Sequence, residues 1–346
     1  MCCFFLWFCV FYYLCIKQIR IMLYPLKFTH IYKDKIWGGT KFRTILGRND
    51  VKTDTCGESW EISAVQDNIS IVSNGFLKGN SLQEIIEVYM DEIVGQKVYE
   101  KFGIEFPLLI KFLDTKDVLS LQVHPDDKTA KERHKAYGKT EMWYVMDADS
   151  DADLIDGFEE KCSKQEFVQA VKKQSVEDLL HKEYAQKGDV FFLPAGRVHA
   201  LGKGLLVAEI QQTSDVTYRI FDWNRVDAQG KSRELHVDLA VDVIDYDAIE
   251  NGKIPYVPRN NATTELVSCE YFTTNLLQFD CQVVKDYYAI DSFVIYMCLD
   301  GSATINFGGD YEEQIIKGET VLIPASLHEL TLTPKGKTQI LEVYIQ

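Results

Sequence analysis

The sequence predicts a mainly β fold, two barrels of one design of which the first and larger carries helices as insertions. Three observations lead there. Short β-prone runs bounded by turn residues dominate the chain. A turn, a strand and a proline corner, Lys187-Gly188-Asp189-Val190-Phe191-Phe192-Leu193-Pro194-Ala195, recur in pattern as Lys317-Gly318-Glu319-Thr320-Val321-Leu322-Ile323-Pro324-Ala325. Alternation along Val118-Leu119-Ser120-Leu121-Gln122-Val123-His124-Pro125-Asp126 sets Ser120, Gln122 and His124 on one face and Leu119, Leu121 and Val123 on the other, the mark of a strand lining a polar cavity.

Taken in order, the chain opens with an apolar run, residues 2–16, rich in Cys, Phe and Tyr and followed by Lys17 and Arg20. The run is shorter than the roughly 18–20 residues of a spanning helix and lacks a basic leader and a small-residue cleavage site. Residues 1–21 are therefore expected to lie outside the fold, with Met22 as the real first residue; a signal anchor is the competing reading. A first domain is expected over 22–250. Within it, Ser81-Leu82-Gln83-Glu84 reads as a capping box, and Leu82, Ile85, Ile86, Tyr89, Met90 and Ile93 at helical spacing carry a helix to near Gly95, in an insertion over about 81–101. Boxes at Ser163 to Glu166 and Ser175 to Asp178, with Phe167, Val168, Val171, Leu179 and Leu180 as apolar positions, mark a second insertion over about 163–183. Asn251-Gly252-Lys253-Ile254-Pro255 and residues 258–261 read as a boundary, which leaves 255–346 as a smaller C-terminal β domain. In the register of the repeat, His199 falls on Glu329, while His328 lies one residue early and points to the other face. Lacking any Gln-x-His partner as well, the second domain is expected to be structural and metal-free, with His328 at the surface or locally satisfied.

A chain of 346 residues with 46% hydrophobic content can bury a substantial core. Its net charge of −15 disfavours nucleic acid as a partner and means that binding an anion requires a local basic pocket, for which Arg219, Arg225 and Lys139 are the natural suppliers. Four of the nine cysteines, Cys2, Cys3, Cys9 and Cys15, fall in the N-terminal run; the other five (Cys56, Cys162, Cys269, Cys281 and Cys298) are scattered and odd in number, which suggests reduced thiols in a cytoplasmic protein. No membrane partner is expected if the chain starts at Met22, and monomer and homodimer both stay open.

Gln122, His124, Glu141 and His199 form a candidate divalent-metal set. Glu141 opens the β-prone run Glu141-Met142-Trp143-Tyr144-Val145, and His199 follows the Pro194-Ala195-Gly196 corner. Zinc and its first-row relatives accept imidazole nitrogen mixed with carboxylate or amide oxygen, and the absence of cysteine from the set argues against a closed structural zinc site. Two histidines that merely hydrogen-bond within a core are the bland alternative; an inward Gln122 and Glu141 beside them favour a metal.

At these residues the chain resembles the type I mannose-6-phosphate isomerases, a zinc-dependent cupin family with jelly-roll β-barrels. The resemblance rests on Leu121-Gln122-Val123-His124-Pro125-Asp126, Gly138-Lys139-Thr140-Glu141-Met142-Trp143, Pro194-Ala195-Gly196 with His199, and Gln211-Gln212-Thr213-Ser214-Asp215-Val216-Thr217-Tyr218-Arg219. Trp37-Gly38-Gly39 and Gly57-Glu58-Ser59-Trp60-Glu61 are further landmarks, so that it runs from about Met22 to the C-terminus. It implies one Zn2+ per chain on Gln122, His124, Glu141 and His199, and interconversion of mannose 6-phosphate and fructose 6-phosphate.

Such a reaction moves a proton between adjacent carbons through a cis-enediol, which demands a group that polarises two neighbouring oxygens and a base that reaches the carbon-bound proton. The resemblance makes Glu209, ten residues before Arg219, the first candidate base. Lys139 is the rival, and its plainer reading is a donor to a sugar hydroxyl. Arg219 is expected to stabilise enediolate charge or orient the sugar. Arg225, six residues on, is at the spacing where the family binds phosphate, and inward-facing Ser120 could donate to the same group. Many members carry His-Lys-Pro before the metal-binding glutamate; Gly138, Lys139 and Thr140 stand here, as in the shorter bacterial-like branch, so a ring-opening histidine has no equivalent, and His134 is expected on a solvated face. Two other classes compete: a non-haem Fe(II) oxygenase on His124, Glu141 and His199, and a non-catalytic sugar-phosphate-binding module.

Overall fold

A computed structural model of the chain describes residues 22–226, 230–249 and 252–346; the N-terminal extension, its four cysteines and Asn251 lie outside the described residues. The first domain contains β1 (Ile31–Gly39), α1 (Lys41–Thr44), β2 (Cys56–Ile62), α2 (Leu82–Tyr89), α3 (Asp91–Val94), α4 (Gln96–Phe102), β3 (Leu108–Thr115), β4 (Leu121–Val123), α5 (Asp127–His134), β5 (Glu141–Ala148), β6 (Asp153–Phe158), α6 (Lys164–Lys172), β7 (Leu180–Tyr184), β8 (Val190–Leu193), β9 (His199–Leu201), β10 (Leu205–Gln212), β11 (Tyr218–Phe221) and α7 (Val237–Ala240). A six-stranded sheet in the order β1-β2-β3-β10-β5-β8 faces a five-stranded one in the order β11-β4-β9-β6-β7. The second domain adds β12 (Ala262–Ser268), β13 (Thr273–Phe279), β14 (Val283–Asp286), β15 (Val294–Asp300), β16 (Ser302–Phe307), β17 (Tyr311–Ile316), β18 (Thr320–Ile323), β19 (Glu329–Pro334) and β20 (Thr338–Tyr344), as sheets β12-β13-β20-β15-β18 and β14-β19-β16-β17. Among the described residues no ladder joins the two sheets of either domain, so each is a jelly-roll-like sandwich that stays open at its edges, not a closed barrel.

Strand parity sorts the first sandwich. Along β3, β5 and β10, Leu113, Trp143, Val145, Leu205 and Val207 enter one interior cluster, while Ile110, Phe112, Met142, Tyr144, Leu206, Ala208 and Ile210 face outward into another. Further along the same inward faces the residues become polar and remain buried: Lys111, Glu141, Glu209 and Gln211. The sandwich interior is thus apolar at one end and charged at the other. On β4 the expected alternation holds for Leu121 and Val123, which pack outward beneath α6 and α7. Leu119 departs from it and joins the interior cluster with Trp37 and Trp143, because it precedes the strand and is not bound by its pleat.

The first insertion also differs from the single helix expected. Ser81 and Glu84 do form a reciprocal capping box, but the backbone turns left-handed at Met90 (φ 47°) and Gly95 (φ 90°), which cuts the segment into α2, α3 and α4. A Cβ at Gly95 would sit 2.5 Å from the Asp291 carbonyl oxygen, so the second sandwich dictates the break. In the second insertion the Ser163–Glu166 box caps α6, whereas Ser175 opens only a 3-10 turn, Val176–Leu179, without a side-chain cap. Helix α5, capped by Asp126 through the Thr129 amide, was not expected.

The repeat reaches deeper than the matched sequence segments. In the first sandwich Phe191 pairs with Trp143, Trp143 with Glu209, and Glu209 with Lys111. In the second, Val321 pairs with Tyr296, Tyr296 with Glu342, and Glu342 with Asn275. Both sandwiches therefore bury a glutamate on their central strand, and Lys285, 2.8 Å from Glu342, plays the balancing part that Lys111 plays in the first. His328 stacks on Tyr288, ring centroids 4.7 Å apart, at the surface end of the second sandwich.

Candidate metal centre and anion pocket

The four expected ligands come from both sheets. Gln122 on β4 is directly opposite His199 at the start of β9, Arg219 on β11 is opposite Gln122 on its other side, and Glu141 opens β5 on the facing sheet. Ligand atoms of His124, Glu141 and His199 all lie within 4.8 Å of one another, and all three residues are buried. His199 Nε2 is 3.2 Å from Glu141 Oε1 and His124 Nε2 is 3.7 Å from Oε2. The Gln122 amide ends 3.2 Å from His199 Nε2.

Each imidazole is held from behind. His124 Nδ1 sits 2.9 Å from the Val216 carbonyl and His199 Nδ1 2.9 Å from the Arg197 carbonyl. Donation at Nδ1 leaves the Nε2 lone pair facing Glu141, the tautomer a metal needs. Burial, reinforced by the Lys139 ammonium, keeps the His124 pKa well below its ordinary value, so the ring is neutral. Burial works the other way on Glu141, yet Lys139, His124 and His199 outweigh it and hold this carboxyl well below the usual range. A neutral His124 beside an ionised Glu141 is the combination that binds a divalent cation.

Both Glu141 oxygens are buried and accept no hydrogen bond among the described residues. Buried carboxylates are normally satisfied, and here the nearest cation is Lys139, itself buried, with Nζ 2.8 Å from Glu141 Oε2 and 3.1 Å from His124 Nε2. A buried carboxylate with a single ammonium beside it, set between two converging Nε2 atoms, fits a divalent ion with nitrogen and oxygen donors.

Glu209 lies on the same interior surface, anchored by the Trp143 indole, which donates to Oε1 at 3.0 Å, and by Lys111, 3.0 Å from Oε2. Oε2 itself accepts no hydrogen bond among the described residues. Sequence reasoning passed over Lys111; its signal was a lone lysine in the apolar run Leu108-Leu109-Ile110-Lys111-Phe112-Leu113. His134 is exposed as expected, with Nε2 2.7 Å from the Tyr218 hydroxyl.

Arg219 donates from Nη1 to the Glu234 carbonyl at 2.8 Å, and its buried Nε has no partner among the described residues. Beyond it the chain turns sharply. Trp223 (φ 54°) and Asn224 (φ 55°) are both left-handed, and the Arg225 amide donates back to the Asp222 carbonyl at 3.0 Å. A tryptophan in that region costs about 1–3 kcal/mol and persists only where its surroundings hold it; here the indole donates to the Leu119 carbonyl at 2.6 Å. Arg225 reaches the Val118 carbonyl and the Asp222 carboxylate, the latter at 2.6 Å. Trp223 and Arg225 thereby pin the segment that carries Ser120, which is buried. Arg233, not singled out in the sequence, donates from Nε to the same Asp222 carboxylate at 2.8 Å.

Comparisons with known proteins agree with this geometry. Residues 25–166 match the family described as phosphomannose isomerase type I, catalytic domain, and residues 262–345 that described as mannose-6-phosphate isomerase, cupin domain. The mannose-6-phosphate isomerase of Streptococcus mutans is 37% identical over 294 residues, 85% of this chain and 90% of that protein. The mannose-6-phosphate isomerase ManA of Bacillus subtilis is 34% identical, covering 89% of this chain and 95% of its own length. The crystal structure of a Bacillus subtilis mannose 6-phosphate isomerase superimposes with a TM-score of 0.83 at 34% identity, covering 93% of this chain and all of that one. With relatives alike over nearly their whole length, and with both sandwiches matched, this chain belongs to the type I phosphomannose isomerase family.

Proposed function

We propose that the protein interconverts D-mannose 6-phosphate and D-fructose 6-phosphate through a cis-enediol, with one zinc ion held by Gln122, His124, Glu141 and His199. The observation that carries this reading is the buried Glu141 carboxylate facing two oriented imidazoles within 4.8 Å, in a chain whose relatives are named mannose-6-phosphate isomerases. Zinc, when bound, supplies Lewis-acid polarisation of the neighbouring sugar oxygens.

The chain's own residues divide the remaining work. Glu209 is assigned the base: Trp143 and Lys111 fix its carboxylate, and Oε2 keeps a lone pair free to take the proton from one carbon and return it to the next. Lys139, beside Glu141, donates to a sugar oxygen and is the second candidate for proton transfer. Arg219, with its unpartnered Nε, offsets the negative charge that develops on the enediol oxygens. Arg225 and Ser120 take the phosphate. An Fe(II) oxygenase would share the His124–Glu141–His199 set, but a fourth amide donor and an adjoining arginine cluster suit a phosphorylated sugar better. No helix among the described residues is long and apolar enough to cross a membrane.

The test is a coupled assay of fructose 6-phosphate formation on protein starting at Met22, before and after chelation and after zinc is restored. Turnover that is lost on chelation and rescued by zinc is expected. His199→Ala should lose bound metal and activity together; full activity in the metal-free variant would remove the site assignment.

A further inference from the structure

Three guanidinium groups gather where one carboxylate is buried. Asp222 receives Arg225 Nη2 at 2.6 Å and Arg233 Nε at 2.8 Å. Arg219 lies close enough that, after burial, Arg233 and then Arg225 are among the causes that lower its pKa. Two separate backbone devices build the cluster. The left-handed turn at Trp223 and Asn224 sets Arg225 beside Asp222, and a bridge between Val226 and Ser232 folds the chain back so that Arg233 meets the same carboxylate. A structural ion pair requires one arginine. A second on one buried acid, with a third beside it, outnumbers Asp222. Asp117, 3.6 Å from Arg225 Nη1, and Glu234, near Arg219, offset part of this charge but are exposed, so the surplus is positive at the buried carboxylate, in a chain whose net charge is −15. A surplus of planar forks held rigidly side by side is the arrangement that binds a phosphate dianion bidentately.

Resting on the isomerase reading above, we propose that Arg233 is a second phosphate-binding residue of the site, acting with Arg225, and that Asp222 is the positioning residue that holds both forks in place. The phosphoryl group of the sugar then lies across Arg225 and Arg233, and these two side chains determine that a phosphorylated sugar, and not the free sugar, is taken.

The experiment is steady-state kinetics of the full chain with mannose 6-phosphate, with inorganic phosphate as competing ligand. Arg233→Gln is expected to raise KM about ten-fold or more and to weaken phosphate inhibition by a similar factor while kcat stays within about three-fold. Asp222→Asn should do the same, since both forks lose their anchor. Arg233→Lys keeps charge and stem but not the fork, should raise KM about three-fold, and decides the matter if the glutamine variant does not fold. Unchanged KM and phosphate inhibition in the Arg233 variants overturns the proposal while leaving the isomerase reading intact. A wild-type protein that turns over no mannose 6-phosphate, yet binds inorganic phosphate through Arg233 by calorimetry, overturns the isomerase reading and keeps the anion site.

Discussion

A lysine inside a sandwich must find its counter-charges within reach, and Lys111 has them. Burial works to strip its proton, but Glu209 and Glu58 prevail and raise its pKa. The reciprocal effect falls on Glu58. Burial alone would raise this carboxyl; Lys111, Lys35 and the Trp60 indole bring it down to about 2 from 4.5. Its folded form therefore gives up a proton at lower pH than its unfolded form, so the stabilisation is whole above about pH 4.5 and drains away as pH falls towards about 2. Glu58→Gln should be less stable than the wild type at pH 6, and the gap should shrink by about 2 kcal/mol on going to pH 3. Denaturant unfolding at the two pH values measures it, and a gap independent of pH would show that Glu58 does not titrate with the fold. Strand parity made Gln122 and His124 legible in the sequence as inward polar residues, and residue type with the family resemblance added Glu141 and His199; the fold brings His124, Glu141 and His199 together as a cluster that could hold a metal. Lys111 and Arg233 were not legible: their meaning lies in partners, Glu209 and Asp222, brought to them by strand pairing and a turn, and alternation does not say which inward residues meet.

The same distinction governs elements. Helical spacing from Leu82 to Ile93 picked out Leu82, Ile85, Ile86 and Ile93, which are buried, but also Met90, which is 45% exposed because the helix ends there. It could not foresee the breaks at Met90 and Gly95, because those are imposed by the second sandwich. Phe293 donates its amide to the Val94 carbonyl at 3.2 Å, Ala325 to Ile93 at 3.0 Å and Ser326 to Glu92 at 3.0 Å, satisfying the end of α3 from outside. Helix α4 starts at once after Gly95, which has no side chain to cap it, and the cap comes from Asp291 instead. Its two carboxylate oxygens accept the amides of Gln96 at 2.7 Å and Lys97 at 3.1 Å. An N-cap supplied nearly two hundred residues away along the chain works like a local one, since orphan amides need only an acceptor and the helix dipole favours an anion. Asp291→Ala should cost about 1 kcal/mol of global stability, read from the denaturant midpoint at constant m-value. A loss confined to hydrogen-exchange protection of residues 96–102, with no change in midpoint, would mean that α4 opens independently of the rest.

At the scale of the whole molecule the two sandwiches share one core. Ile110, Phe112, Met142 and Ile210 on the outer face of the first large sheet belong to the same buried cluster as Leu276, Ile295, Leu341 and Val343 of the second, with α2–α4 filling the rest. Arg48 ties the halves again: buried, it grips Glu61 through both oxygens and donates to the Gly318 carbonyl at the turn before β18. The second sandwich keeps the buried central-strand glutamate of the first but, in the place of Lys111, carries Asn275; its charge is balanced by Lys285 on another strand, and Tyr287 and Asn275 bond its carboxylate. The two sandwiches thus share a way of packing a buried glutamate on the central strand, with different partners to balance it. A domain whose work is to cover the other's apolar face should not melt by itself. Phe293 is the sharpest test of this, being fully buried at the seam with its ring centroid 4.4 Å from that of Phe106. Phe293→Ala should cost about 3–5 kcal/mol, and the loss should appear as one transition at lower denaturant, with far-UV circular dichroism and loss of isomerase activity superimposed in both wild type and variant. Activity lost well after a first spectroscopic step would mean that the catalytic sandwich stands without its partner, and the shared core would then be a contact between two independent folds.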